Sequence, residues 1–340
     1  MKISCSVKVL PLAALLITLA GCKFPLSAAP TATPTPSQTF TPAPPTQTPT
    51  VTLTPTITPL PRPSVQRVLI LSIDGFRPDA IAQAPMVNLQ ALMQTGAYSL
   101  HAQTTFPSGT LPSHASMLTG YCPADHGVDW NDYDPEQGYA IGTDLFDLAH
   151  AAGLRTVMLA GKQKLVQLTE PASLDEFEYI NDRGLVIAQA VVDRVIPQDF
   201  GVLFVHFPTP DWMGHEYGWM SWQYLDVLRQ DDRALQLMLD ALDQAGMRSD
   251  TLVIVTSDHG GHDDTHGSWM PADMTIPWIV SGPGVVPGEV TVPINTTDTA
   301  ATAAWALGLD LPADWDGLPV LDAFGFPSDT TRLDPRCPQE

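Results

Sequence analysis

The chain has 340 residues, 44% hydrophobic and 16% charged, enough for one sizeable folded domain with extensions. Its net charge of -21 argues against nucleic-acid binding, which requires a basic face. The same charge repels phosphate-bearing substrates at long range, so any phosphate-binding site here needs local cations.

Lys2 and Lys8 flank the start of an apolar stretch, Leu10 to Ala20, that is short for a membrane span and reads as an export signal. It ends in Leu19-Ala20-Gly21-Cys22, which resembles the bacterial lipobox. That resemblance implies a signal peptide over residues 1–21, lipidation of Cys22, and an exported protein anchored at the cell-envelope surface. The competing reading is an ordinary secretory signal with a chance cysteine. Residues 22–64 then form a linker. From Pro30 to Ser64 it is almost entirely Thr, Pro, Ala, Ser and Gln, with Arg62 as its one charge. Such a segment buries too little apolar surface to fold, and its prolines make it an extended spacer. Beyond Cys5 and Cys22, only Cys122 and Cys337 remain. A disulfide between them would suit an exported protein; two free thiols are the alternative.

From residue 65 to 340 strand and helix patterns alternate. Arg67 to Ile73 is an apolar run ending in Asp74-Gly75. Met86 to Thr95 has helical spacing, a short helix is expected over Ser113 to Leu118, and another over Thr143 to Ala152. Arg155 to Ala160 reads as a strand, Leu185 to Ile196 as a helix and Gly201 to Phe207 as a strand. Trp222 to Ala245 is a long amphipathic helix, Leu252 to Ser257 a strand, Thr275 to Val280 a further strand and Thr297 to Leu307 a helix. This rhythm predicts an α/β fold, a three-layer αβα sandwich on a mostly parallel central sheet.

Chemistry-bearing residues recur after the strand ends, where open α/β sheets place their ligands. Asp74 follows the first strand, Asp211 and His215 follow Gly201–Phe207, and Asp258-His259 follow Leu252–Ser257. His266 comes shortly after. Taken alone, Asp258-His259 is either a polar strand-to-loop turn or a pair of metal ligands suited to zinc or manganese. Together the six can hold two divalent ions with three protein ligands each, the arrangement that clamps both oxygens of a phosphoryl displacement. Thr110 lies just ahead of the expected short helix. It is either a simple N-terminal cap or a hydroxyl nucleophile in an anion-favouring position.

The motifs Ile73-Asp74-Gly75, Thr110-Leu111-Pro112-Ser113-His114, Asp211 with His215, Asp258-His259-Gly260 and His266-Gly267 resemble those of the alkaline phosphatase superfamily. The likeness is to its type I phosphodiesterase/nucleotide pyrophosphatase branch and covers about residues 66 to 325. It implies an alkaline-phosphatase-like catalytic domain over residues 65–340. It further implies one metal site of Asp74, Asp258 and His259 bridged by Thr110, and another of Asp211, His215 and His266. The implied ions are zinc, with manganese also open, and the implied reaction runs through a covalent phosphothreonine on Thr110. Asn131 would bind a non-bridging phosphoryl oxygen. Thr105 is the rival nucleophile and His262 the rival of His266.

Lys162 and Lys164 stand just after the strand Arg155–Ala160, in a chain with only 16 Lys and Arg. They are similar to a paired basic element of phosphonoacetate hydrolases and threonine-nucleophile monoesterases, where it binds extra substrate charge. Solvated surface lysines are the alternative. Trp212, Tyr217, Trp219, Trp222 and Tyr224 could stack a nucleobase or simply pack. The expected substrate is a small phosphorylated molecule, and a phosphodiesterase activity leads a monoesterase or phosphonate one. A sulfatase is disfavoured because its Cys-x-Pro-x-Arg pattern is missing. An exported chain also disfavours a mutase, and a complete ligand set disfavours a binding-only lipoprotein.

Overall fold

The computed structural model describes residues 60–328 and Cys337; the signal peptide, Cys22 and the linker up to residue 59 lie outside the described residues. Eight strands build one sheet: β1 (Arg67–Ile73), β2 (Ala97–Gln103), β3 (Thr156–Ala160), β4 (Glu176–Tyr179), β5 (Val202–Phe207), β6 (Thr251–Thr256), β7 (Thr275–Ser281) and β8 (Gly288–Glu289). Their order is β4-β3-β5-β1-β6-β7-β2-β8. β1 lies in parallel between β5 and β6, and β3 and β4 continue the parallel set beyond β5. β7 is antiparallel to both β6 and β2, so among the described strands it alone runs against the rest.

Strands covered on both faces must be apolar throughout, and β1, β3, β5 and β6 are buried along their length except at Arg67. Alternate residues feed two cores. Val68 and Ile70 of β1, with Phe204 of β5 and Ile254 of β6, face one core, which also holds Leu111, Met117, Phe146 and Ala304. Leu69, Leu71 and Ile73, with Leu203, Val205 and Val255, face the other, with Leu89, Ile187, Leu235 and Met238. Helices Thr110–Thr119, Leu145–Ala151 and Asp298–Ala306 therefore cover one face. Val87–Thr95, Gly184–Ala190 and Trp222–Gln244 cover the other. This is the expected three-layer αβα sandwich.

Several local expectations need correction. The expected helix Leu185–Ile196 is α-helical only to Ala190 and then widens into a π turn, Val191–Val195, ahead of Pro197. The helix expected at Ser113 begins at Thr110 with Gly109 as its cap, so Thr110 is the first helical residue and not the cap. Asp211 and His215 follow β5 as expected, on a helix that the sequence pattern does not mark, Thr209–Tyr217, whose early Pro210 suits a first turn. β2 and β4 were not anticipated because their residues are only partly buried and form no apolar run.

Cys122 and Cys337 form a disulfide, which resolves that alternative. Among the described residues no helix is long and apolar enough to cross a membrane.

Candidate active site

The carboxyl ends of β1, β6, β5 and β3 converge on one edge of the sheet. Asp74 directly follows β1, Ser257 leads from β6 to Asp258 and His259, and Lys162 follows β3 by two residues. Asp211 and His215 are four apart on one face of the helix after β5. Gly75 makes the close approach of that helix possible. Its φ is +70°, and a Cβ there would lie 3.2 Å from Asp211 Cα.

Asp74, Asp258 and His259 offer ligand atoms within 4.8 Å of one another, and so do Asp211, His259 and His266. His259 thus stands between the two groups. His215 approaches Asp211 Oδ1 at 3.4 Å through Nε2 and is more exposed than the others. The second tight triad therefore closes on His259, whereas the resemblance implied His215 in that position.

The hydrogen bonds fix how each imidazole presents itself. His259 Nδ1–H donates to Gly260 O at 2.7 Å, His266 Nδ1–H to Ser108 O at 2.8 Å and His215 Nδ1–H to Asp264 O at 2.9 Å. A carbonyl only accepts, so each ring keeps its proton on Nδ1 and turns the Nε2 lone pair toward the carboxylates. Burial, followed by the neighbouring His259, pushes His266 down to about 4, and burial lowers His259 as well. Neutral imidazoles are the ligand form.

The carboxylates divide their oxygens in the same way. Asp74 Oδ2 accepts from Lys162 at 2.7 Å and from His206 at 2.8 Å. Asp211 Oδ2 accepts from Lys162 at 2.6 Å. Asp74 Oδ1, Asp211 Oδ1, Asp258 Oδ2 and His259 Nε2 are buried and have no hydrogen-bond partner. Orphaned buried polar atoms are costly, and four of them facing one another fit cation ligands well. Lys162 does not neutralise three carboxylates. Burial resists ionisation of Asp74, yet Lys162 and His206 outweigh it and hold this carboxyl well below the usual range. Burial and then Asp74's charge push Asp258 well above it. A divalent cation would bring Asp258 down again.

Thr110 is buried at the start of its helix, and its hydroxyl lies 3.1 Å from Lys162 Nζ. Thr105 is differently engaged: its hydroxyl donates to Ser116 Oγ at 3.3 Å. Asn131 Oδ1 accepts from Leu111 N–H at 2.8 Å and from Lys164 Nζ at 2.9 Å. Two donors on that atom assign it as oxygen and leave the Nδ2 amide free to donate beside Gly109. Lys162 and Lys164 are therefore both part of this cluster and not solvated surface lysines.

His262 belongs to neither triad. Its Nδ1–H donates to buried Asp273 at 2.7 Å. Asp263 and Asp264 contribute backbone carbonyls, to Trp219 N–H and His215. Of the five aromatics, Trp219 and Tyr224 are buried and both donate to Gly75 O at 2.9 Å, which is a packing role under the Asp74 turn.

Sequence reasoning missed His206 and the inward role of His114. Gly161 N–H donates to His206 Nδ1, so His206 Nε2–H is the atom that orients Asp74. His114 Nδ1–H donates to Thr110 O at 2.7 Å and steadies the helix start. The available signal for His206 was a lone imidazole inside the otherwise apolar run Val202–Phe207.

A family model described as type I phosphodiesterase/nucleotide pyrophosphatase matches residues 68–267. A bis(5'-adenosyl)-triphosphatase of Xenopus laevis is 26% identical over 214 residues, 58% of this chain and 47% of the relative. Ectonucleotide pyrophosphatase/phosphodiesterase family member 5 of Homo sapiens is 25% identical over 222 residues, 58% of this chain and 46% of its own. The chain thus spans about half the length of these curated relatives. Among solved structures, murine ectonucleotide pyrophosphatase/phosphodiesterase 5, an inactive form in complex with AMP, superposes with a TM-score of 0.62 at 17% identity, covering 74% of this chain and 97% of that one. The phosphonate monoester hydrolase of Agrobacterium radiobacter gives 0.63 at 16% identity, covering 79% and 78%. These likenesses establish the fold, and the match over residues 68–267 establishes the lineage: the chain belongs to the type I phosphodiesterase/nucleotide pyrophosphatase family.

Proposed function

We propose that this protein is a metal-dependent phosphoester hydrolase in which Thr110 is the nucleophile. The observation that carries the reading is the convergence of unpartnered Asp74 Oδ1, Asp211 Oδ1, Asp258 Oδ2 and His259 Nε2 in the cluster that holds the Thr110 hydroxyl. Asp74, Asp258 and His259 would hold one divalent cation. Asp211 and His266, with His215 or the shared His259, would hold the other. The Asp/His donor set suits zinc, and manganese is the second choice. When bound, such ions supply Lewis-acid charge at the phosphoryl oxygens.

The chain's own residues supply the rest. Thr110 Oγ loses its proton to solvent and forms the bond to phosphorus as the P–O bond to the ester oxygen breaks, the leaving oxygen departing as the anion or taking a proton from water; water then cleaves the phosphothreonine at its P–O bond. The Lys162 ammonium stabilises negative charge on Thr110 Oγ. Asn131 Nδ2–H donates to a non-bridging phosphoryl oxygen, its amide held in that sense by Leu111 N–H and Lys164. Thr110→Ala should lower kcat for nitrophenyl phosphate esters by roughly a thousandfold or more while metal content stays near two ions per chain. Retained turnover would move the nucleophile elsewhere, and a single bound ion would sink the two-site reading.

A second reading concerns substrate charge. Lys162 and Lys164 both point into the cluster, which favours a doubly charged monoester or a phosphonate over a singly charged diester. Comparing mono- and bis-nitrophenyl phosphate and phosphonoacetate on wild type and Lys162→Ala decides it: all should lose the support for Thr110 Oγ, and a further loss on the more highly charged substrates supports this reading. Export with lipid attachment at Cys22 is proposed from Leu19-Ala20-Gly21-Cys22. Incorporation of labelled fatty acid that Cys22→Ser abolishes is the corresponding test.

A further inference from the structure

Phe106 and Trp269 stack on each other with ring centroids 4.0 Å apart and planes 12° apart. Each ring gives one face to the other, yet Phe106 remains 38% and Trp269 45% exposed. Two stacked rings that keep their outer faces in solvent offer a contiguous apolar surface of the kind that ligand sites use. Both segments lead straight into the reaction centre. Phe106 is four residues ahead of Thr110, and Trp269 is three after His266.

Both segments are fixed. Ser108 Oγ–H donates to Ser268 O at 3.0 Å, and Ser108 O accepts from His266 at 2.8 Å. Asp273 Oδ2 accepts from both the N–H and the hydroxyl of Ser268, at 2.9 and 2.7 Å, while its Oδ1 accepts from His262. The rings are therefore presented by a clamped pair of loops, with little further ordering required when a ligand arrives.

We propose that Phe106 and Trp269 form an aromatic platform that receives a flat aryl or heteroaryl substituent of the phosphoester. A third ring laid on the outer face extends the stack and removes exposed apolar surface from water. The polar cluster around Thr110 then selects the phosphoryl group, and the platform selects the organic group it carries. The inference rests on the hydrolase reading above, and its test separates the two.

The metal-loaded protein is titrated calorimetrically with phenylphosphonate and with methylphosphonate, and hydrolysis of bis(4-nitrophenyl) phosphate is measured alongside. Wild type is expected to bind the phenyl compound roughly tenfold more tightly. Trp269→Ala should bring the two affinities close together, and Trp269→Phe should preserve most of the preference. If Trp269→Ala does not fold, Phe106→Leu provides the same comparison. No phenyl preference in wild type overturns the platform. So does an unchanged preference in the folded variant, because rings that merely brace the loops would alter stability and not the ratio. A preference that Trp269→Ala removes, in a protein without turnover, upholds the platform and defeats the hydrolase reading alone.

Discussion

The floor of the site and its rim are built on different principles. The floor consists of Asp74, Asp258, His259 and Asp211, all buried and set directly at or near strand ends. Backbone carbonyls and His206 dictate their orientation. The rim consists of Lys164, at the start of a short 3-10 helix, and of Asn131, Phe106 and Trp269 on connecting segments; Lys164 holds Asn131, and Phe106 stacks on Trp269. Buried ligands tolerate no change without leaving charge uncompensated, whereas rim groups tune which molecule is accepted.

Breaking the floor should have the largest effect. Asp258→Ala is expected to remove bound metal and to lower kcat/KM on the order of a thousandfold, checked by metal analysis and by turnover on one preparation. Unchanged metal content would erase the distinction between floor and rim. One shell outward, His206→Gln should weaken metal affinity roughly 10- to 100-fold, read by chelator competition.

The rim should respond more mildly and with a pH signature. Burial, and then the charge of Lys162, push the Lys164 ammonium down to about 8. As pH rises through that value Lys164 loses its proton, so its support for Asn131 and for substrate charge fades. KM should climb severalfold above pH 8 in wild type and stay flat in Lys164→Ala, on the scale of about 1 kcal/mol for one half-buried charge contact. The folding equilibrium runs the other way. The unfolded chain holds this proton up to about 10.4, so the group's unfavourable contribution is relieved as pH rises above 8. Farthest from the chemistry, Cys337→Ser should leave turnover unchanged while lowering stability by up to about 5 kcal/mol in urea titrations.

The same division explains what could be read from the sequence. β1, β3, β5 and β6 are long apolar runs because both their faces are covered, and the residues that interrupt them stand out as polar strand ends. Asp74, Asp211 and Asp258 were therefore visible as candidates. Tertiary geometry was not. Nothing local to Lys162 announces that its Nζ bridges Asp74 and Asp211, residues far apart in the chain. The motif resemblance puts His259 in one ligand group, and only the fold shows it within reach of both. The helix carrying Asp211 and His215 was hidden by Pro208 and Pro210, which read as turn residues until the second is seen to fit a first helical turn. Phe106 and Trp269 meet across a sequence distance that no periodicity spans.

The reversed direction of β7 has a consequence for how this site can diversify. The connection from β6 to β7 leaves and re-enters the sheet at the same edge. Its base is closed by Gly260 N–H to Asp273 O and Gly261 N–H to Ala272 O, both 2.8 Å. The segment Asp263–Pro271, bearing His266 and Trp269, is thus an insert on a sealed stem. With His266 kept in place, the residues beyond it in this insert, Trp269 among them, can change without rethreading a strand or disturbing Asp74, Asp211, Asp258 and His259 beneath.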